Sequence, residues 1–208
     1  MLKLVLVRHG QAETNLTHAV GRNNHVQLTD MGKEQARKLG QYWREHDVEF
    51  DHVFASEAVR ATDTAKIFRG EWEGQSANHL FVGETLATYL ADPHNFRAPG
   101  GESEKEVEER MHAFFDATVL PLYQRFVQEE EERRAKEGEI GHAEAHKPRE
   151  LKVAIISHGC GLRCFLRRVL GTESKLFRFE LSNTATSELT LRGTEWTVRT
   201  LNCTAHLH

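Results

Sequence analysis

Two short runs of β-rich apolar residues, at 2–7 and 151–156, lack the apolar/polar alternation of a half-exposed strand, and each ends in a histidine followed by glycine. LVLVRHG closes on Arg8, His9 and Gly10, and LKVAIISHG closes on His158 and Gly159. A run that is apolar on both sides of the chain suits a central strand covered on both faces, the usual condition of parallel sheets. That feature narrows the fold more than any other: helices must cover both faces, and polar residues must collect where the strands end.

The rest of the chain supplies elements for such a sandwich. Val53, Phe54 and Ala55 form a third short strand, and residues 80–82 a fourth. Ala36, Leu39, Trp43 and His46 recur at helical spacing after a start signal at Thr29 and Asp30. Ala58, Ala61, Thr62, Ala65 and Phe68 make a second apolar stripe with Ser56 as its cap. Ser103 and Glu106 make a capping box for a third helix through Val107, Met111, Phe114, Thr118 and Leu122, which Pro121 should kink or interrupt. Leu162, Phe165, Leu166, Val169 and Leu170 define a helix directly after the second His-Gly, and TSELTLRGTEWTVRT reads as two strands joined by a turn at Leu191-Arg192-Gly193-Thr194. Strands alternating with helices imply an α/β three-layer sandwich with a mainly parallel central sheet. The 208 residues suit one domain spanning 1–208. Its charged stretch at 128–150 reads as a solvated helix extension running into a mobile loop, with a partner-docking arm as the alternative.

With 39% hydrophobic and 28% charged residues and a net charge of -4, the chain has no general attraction for nucleic acid or anionic membrane, so an anionic ligand needs a local basic site. The opening apolar run is too short for a signal peptide, and no run approaches the ~20 residues of a membrane span, so a cytoplasmic protein is expected. Cys160, Cys164 and Cys203 do not make a disulfide framework. Cys160 and Cys164 share a helix face near His158, but without a fourth ligand they read as small buried residues rather than a zinc site, and none of the 13 histidines forms an HExxH motif. No metal and no cofactor are expected.

Ligands of open α/β sheets bind beyond the carboxyl ends of the strands, where His9 and His158 both fall. If the two strands are neighbours, the two imidazoles face one pocket. Arg8 offers a planar fork of donors suited to phosphate oxygens and keeps its charge. Arg60, just past the third strand, lies off the apolar stripe of its helix and points either to solvent or into the same crevice. Two arginines and two histidines around a volume the size of a phosphate suggest phosphoryl transfer. A neutral imidazole nitrogen attacks phosphorus, and the cations stabilise the equatorial oxygens. A carboxyl group must protonate the leaving alcohol, and Glu84, following the 80–82 strand, ends at the same rim.

VRHGQAETN, LTDMGKEQA, SEAVRATDTA, PGGES, ISHGCGLR and the closing NCTAHL together resemble the histidine phosphatase superfamily, the phosphoglycerate-mutase-like proteins, over most of the chain. The resemblance implies His9 as the phosphorylated nucleophile, with Arg8, Arg60 and His158 as its phosphate pocket, to which Gly159 is assigned as well. It further implies Asn15 as a phosphate or substrate contact and Glu84 as the proton donor. After Glu84 the chain reads ETLATYLADPHNF in place of the family's Gly and second Glu, which leaves Asp92 as a second candidate acid; Glu102 is read as a structural carboxylate. Arg22 either contacts a second phosphate or is an exposed loop cation.

Between Glu84 and Ser103 the chain has only Arg97 as a fixed cation, with His94 a conditional one, and this favours a phosphatase over a mutase. The short middle region, PGGES and the AHL ending are similar to the small-bisphosphatase branch, including fructose-2,6-bisphosphatase-like enzymes. The expectation is therefore a metal-independent phosphomonoesterase acting on a small phosphorylated metabolite such as fructose-2,6-bisphosphate. Phosphoglycerate mutase and a non-catalytic phosphate-binding scaffold are the alternatives. Neither nucleic acid nor membrane is an expected partner, and oligomeric state is left open.

Overall fold

A computed structural model describes residues 1–17, 24–69, 103–140, 149–172 and 179–208. The predicted strand at 80–82, and Arg22, Glu84, Asp92 and Glu102, lie outside the described residues.

The two His-Gly strands, β1 (Leu2–Arg8) and β3 (Leu151–Ser157), are parallel neighbours, paired from Leu2 with Leu151 through to Arg8 with Ser157. β2 (His52–Ala55) flanks β3 in parallel, and on the other side of β1 lies an antiparallel hairpin of β4 (Thr186–Arg192) and β5 (Glu195–Cys203), giving the order β2-β3-β1-β4-β5. The sheet is thus mixed, three parallel strands extended by a hairpin. The hairpin turn is tighter than the sequence suggested: Leu191 and Arg192 stay in β4, and Gly193 takes φ 60° in a two-residue connection.

Alternation along β1 divides the core into two layers. Leu2, Leu4 and Leu6 face one side, where they meet Val107, Met111, Phe115, Leu162 and Phe165. Val5 and Val7 face the other, against Leu39, Trp43, Ala61 and Ala65. Each fully buried Leu or Phe contributes about 1.5–3 kcal/mol relative to exposure, so the strands are pinned from both faces.

The first layer contains α4 (Glu104–Phe114), α5 (Leu120–Ile140) and α6 (Gly159–Leu170); the second contains α2 (Asp30–Glu45) and α3 (Val59–Arg69); a single turn, α1 (Glu13–Leu16), follows β1. Thr29 caps α2 by accepting the Gly32 N–H, and Ser103 and Glu106 form the expected capping box on α4. His46 departs from the expected apolar stripe: it is the exposed C-cap of α2, its ring stacked on Tyr42.

Pro121 does not break the long helix. A π-helical turn, Phe115–Val119, joins α4 to α5, absorbing the hydrogen bond that proline cannot donate. Because a π turn holds more residues than an α turn, the buried seam runs at steps of four through Val107, Met111, Phe115, Val119 and Tyr123, rather than through Phe114, Thr118 and Leu122. Beyond it α5 continues to Ile140. Glu130 is buried there and paired with Arg133 at 2.9 Å and Arg149 at 3.0 Å, so this part of the acidic stretch is tied down. A second buried pair, Glu104 with Arg167 at 2.6 Å, fastens the start of α4 to α6. Among the described residues no helix is long and apolar enough to cross a membrane.

Candidate active site

The parallel register that pairs Arg8 with Ser157 sets His9 beside His158 just past the strand ends. Their ring centroids are 5.1 Å apart with planes at 61°. His9 is 4% exposed, and its N–H continues the ladder by donating to the Ser157 carbonyl at 3.0 Å.

The His9 ring has a defined orientation. Nδ1 lies 2.7 Å from the Gly10 carbonyl oxygen, which can only accept, so Nδ1 carries the proton and Nε2 presents a bare lone pair. Burial pushes the imidazole down to about 3, opposed by the bond to Gly10 and reinforced by the Arg60 and Arg8 guanidiniums. At neutral pH the ring is an uncharged base.

His158 is fixed by a residue that the sequence reading assigned elsewhere. Ser56, expected as a helix cap, accepts the Ala58 N–H at 3.4 Å and lies 2.9 Å from His158 Nε2. The serine hydroxyl has a second lone pair as well as its proton, so it can donate to a bare Nε2 or accept from Nε2–H, and this contact fixes the orientation of the ring rather than its tautomer. The Nδ1 of His158 is buried and has no hydrogen-bond partner among the described residues. Burial, then His9, Arg60 and Arg8, hold His158 well below the usual histidine range. The site thus sets two buried, neutral imidazoles side by side, with the His9 proton on Nδ1 and its lone pair on Nε2.

Arg60 settles the choice between solvent and crevice: it is buried, close enough to both imidazoles to depress them, and its carbonyl accepts the Thr64 hydroxyl at 2.6 Å. Thr64 in turn accepts the Gly10 N–H at 3.0 Å, which ties α3 to the end of β1. Arg8 donates through Nη1 to the Leu181 carbonyl at 2.5 Å, and its buried Nε has no partner among the described residues. Its guanidinium lies against Gly159, where an added Cβ would come 3.5 Å from Nε, ordinary contact. Gly159 therefore does not owe its place to crowding by Arg8; it opens α6, whose first intrahelical bond is Leu162 N–H to His158 O, so the Gly159 to Gly161 amides stand free of the helical ladder.

Asn15 is half-buried at the same rim. Its Oδ1 accepts from the Ala12 N–H at 2.9 Å and from Asn183 Nδ2 at 3.3 Å, so the oxygen is engaged by the protein and the donor end of the amide is its NH2. The structure gives a steric reason for Gly10. A Cβ there would sit 2.5 Å from the Gly32 carbonyl oxygen, so the glycine is required by the backbone of α2.

Thr64, Asn183 and Thr184 also support the site with no sign of it in the sequence, and Ser56 was expected only as a cap. Ser56 follows β2 directly, and the strand-end rule that singled out Arg60 applies to it equally. Asn183 and Thr184 sit in a polar loop without any motif. Among the described residues no group of three or more His, Cys, Asp or Glu side chains could hold a metal ion, and all three cysteines are free thiols. Buried donors, two guanidiniums and a neutral imidazole base around one point can bind a tetrahedral oxyanion and attack its centre.

Comparison with known proteins agrees with this geometry. The family model for the histidine phosphatase superfamily (branch 1) matches residues 4–124 and 128–204. The chain is 25% identical to a Bacillus subtilis protein named as the uncharacterized phosphatase PhoE, over 100% of this chain and 97% of the relative. It is 34% identical to 2,3-bisphosphoglycerate-dependent phosphoglycerate mutase 1 of Lactobacillus johnsonii, over 53% of this chain and 45% of the mutase, so the chain spans about half the length of that relative. Among solved structures it resembles a phosphoserine phosphatase variant from Entamoeba histolytica in complex with phosphoserine, with a TM-score of 0.73, 21% identity and 100% of both chains covered. It also resembles a putative alpha-ribazole-5'-P phosphatase from Escherichia coli, with a TM-score of 0.69, 22% identity, and 98% of this chain and 97% of that one covered. The chain belongs to the histidine phosphatase superfamily, with a phosphoglycerate-mutase-like α/β fold.

Proposed function

We propose that the protein is a phosphatase that hydrolyses a small phosphorylated metabolite through a covalent phosphohistidine on His9. The observation that carries this reading is the His9 ring itself: Nδ1–H is engaged by the Gly10 carbonyl, burial keeps the ring neutral, and Nε2 is left as a nucleophile beside two arginines. In the first step Nε2 bonds to phosphorus as the ester P–O bond breaks, and the departing alkoxide takes a proton from a carboxylic acid, a role we assign to Glu84. In the second, water attacks the phosphohistidine, its proton returns to the Glu84 carboxylate, and inorganic phosphate leaves with His9 restored. Arg8, Arg60, the His158 ring and the Asn15 amide group hold the phosphoryl oxygens, with the first turn of α6 at Gly159 beside them. The charge that a metal would neutralise in other phosphatases is met here by the guanidiniums.

Phosphate release is favoured over phosphate transfer by the full-length likeness to a protein named as a phosphatase and by the fold shared with phosphatases, whereas the likeness to the Lactobacillus johnsonii mutase covers 45% of that chain. The test is phosphate release, with a chelator present, from an aryl phosphate, phosphoserine, phosphoglycerates and sugar bisphosphates. Release with chelator that disappears in His9→Ala supports the proposal. Release that needs added metal or survives His9→Ala overturns it, and interconversion of phosphoglycerates without net release makes the protein a mutase.

A further inference from the structure

Residues 181–185 wrap the end of β1 more completely than the sheet does. The Ala185 carbonyl accepts the Arg8 N–H at 3.2 Å, the Thr184 N–H donates to the Arg8 carbonyl at 3.0 Å, Asn183 Nδ2 donates to the His9 carbonyl at 3.0 Å, and the Leu181 carbonyl takes Arg8 Nη1. Both main-chain polar groups of Arg8, its side chain and the His9 carbonyl are therefore held by one five-residue stretch.

That stretch does not hold its shape unaided. Thr184 is fully buried at φ 57°, a left-handed conformation that a β-branched residue adopts only when its surroundings impose it. Its hydroxyl lies 2.7 Å from the Asn183 carbonyl and 2.9 Å from His206 Nε2. The hydroxyl has one proton. The Asn183 carbonyl can only accept and takes it, so the bond to His206 requires Nε2–H as donor and the threonine oxygen as acceptor. His206 is buried in the C-terminal 3-10 turn, Ala205–Leu207, with its ring 6.4 Å from that of Tyr42 on α2, and burial lowers it to about 4, which keeps it neutral. A second support comes from the same end of the chain: Asn202, at φ 51°, accepts the Ser182 N–H at 2.7 Å.

We propose that His206 is a positioning residue of the active site, donating Nε2–H to Thr184 so that residues 181–185 keep Arg8 and His9 aimed at the phosphoryl group. The proposal rests on the reading of His9 as nucleophile. His206 touches no reacting atom, and it acts through Thr184 alone.

The test uses the full-length protein and an aryl phosphate. His206→Leu should lower kcat roughly tenfold or more through misaimed reacting groups with KM little changed, whereas His206→Gln, whose amide nitrogen reaches the Nε2 position, should recover most of the loss. Should the leucine variant not fold, His206→Asn, whose shorter amide does not reach Thr184, takes its place. Thr184→Gly, in which the left-handed conformation is free of strain, should make kcat insensitive to removal of His206. A His206→Leu or His206→Asn protein with unchanged kcat, or a loss that adds fully to that of Thr184→Gly, overturns the proposal. NMR of the His9 ring nitrogens separates this inference from the functional one because it needs no turnover. The His9 Nδ1–H signal should shift or broaden in the leucine variant and return in the glutamine variant. An unchanged signal overturns the role of His206 even if no substrate is turned over.

Discussion

Lowering the pH from 7 to 5 should expose the cost of keeping His9 neutral. In the unfolded chain an imidazole titrates near 6.5, while in the folded protein burial brings His9 down to about 3. A folded value below the unfolded one means that the associated stability is complete above pH 6.5 and is lost as the pH falls toward 3, because the unfolded chain binds a proton that the folded protein refuses. At pH 5 the unfolded imidazole is almost fully protonated and the folded one is not, so the fold loses about 2 kcal/mol through this one residue relative to pH 7. Urea unfolding of the wild-type protein and His9→Gln at both pH values isolates the term. His206, also depressed by burial, is present in both proteins and cancels in the comparison, and the larger, burial part of the His158 depression is common to both as well, while the part due to His9 counts with His9. At a slope of about 2 kcal/mol per molar urea, the wild-type midpoint should fall by about 1 M more than that of the variant. Equal falls would show that His9 titrates as a solvated histidine and that its neutrality is not built into the fold.

Ser56→Ala removes the hydrogen-bond partner of His158 Nε2 and frees the ring to turn; loss of about 1 kcal/mol of transition-state stabilisation, roughly fivefold in kcat, should appear in steady-state kinetics with little change in unfolding midpoint. Gly10→Ala drives a methyl group into the Gly32 carbonyl, and thermal unfolding should show a loss of about 1–3 kcal/mol, typical of overpacking, together with impaired activity. Gly159→Ala meets only ordinary contacts and should leave stability within about 1 kcal/mol.

What the sequence made legible follows from periodicity. β1 and β3 could be recognised because strands buried on both faces have no alternation, and once they are parallel neighbours their register alone carries His9 to His158. Arg60 was recognisable by its place just past a strand end and off the apolar stripe of its helix, which still left solvent and crevice open until its burial was seen. Contacts between residues far apart in the chain left no such pattern. Ser56 looked like a cap because caps are local, and its partner is 102 positions away. Thr184 carries no sign of its left-handed backbone, which depends on His206 and the closing turn. The Phe115–Val119 π turn shifted the buried seam because helical spacing was read as uniform through Pro121.

Rapid quenching during the first turnover, followed by digestion and mass spectrometry under alkaline conditions, tests the phosphohistidine most directly. An acid-labile, base-stable phosphoryl group should appear on the peptide containing His9 at up to one per active site, and decay at the rate of phosphate release. Turnover with no phosphorylated intermediate, or with the phosphoryl group on any residue other than His9, would contradict the mechanism.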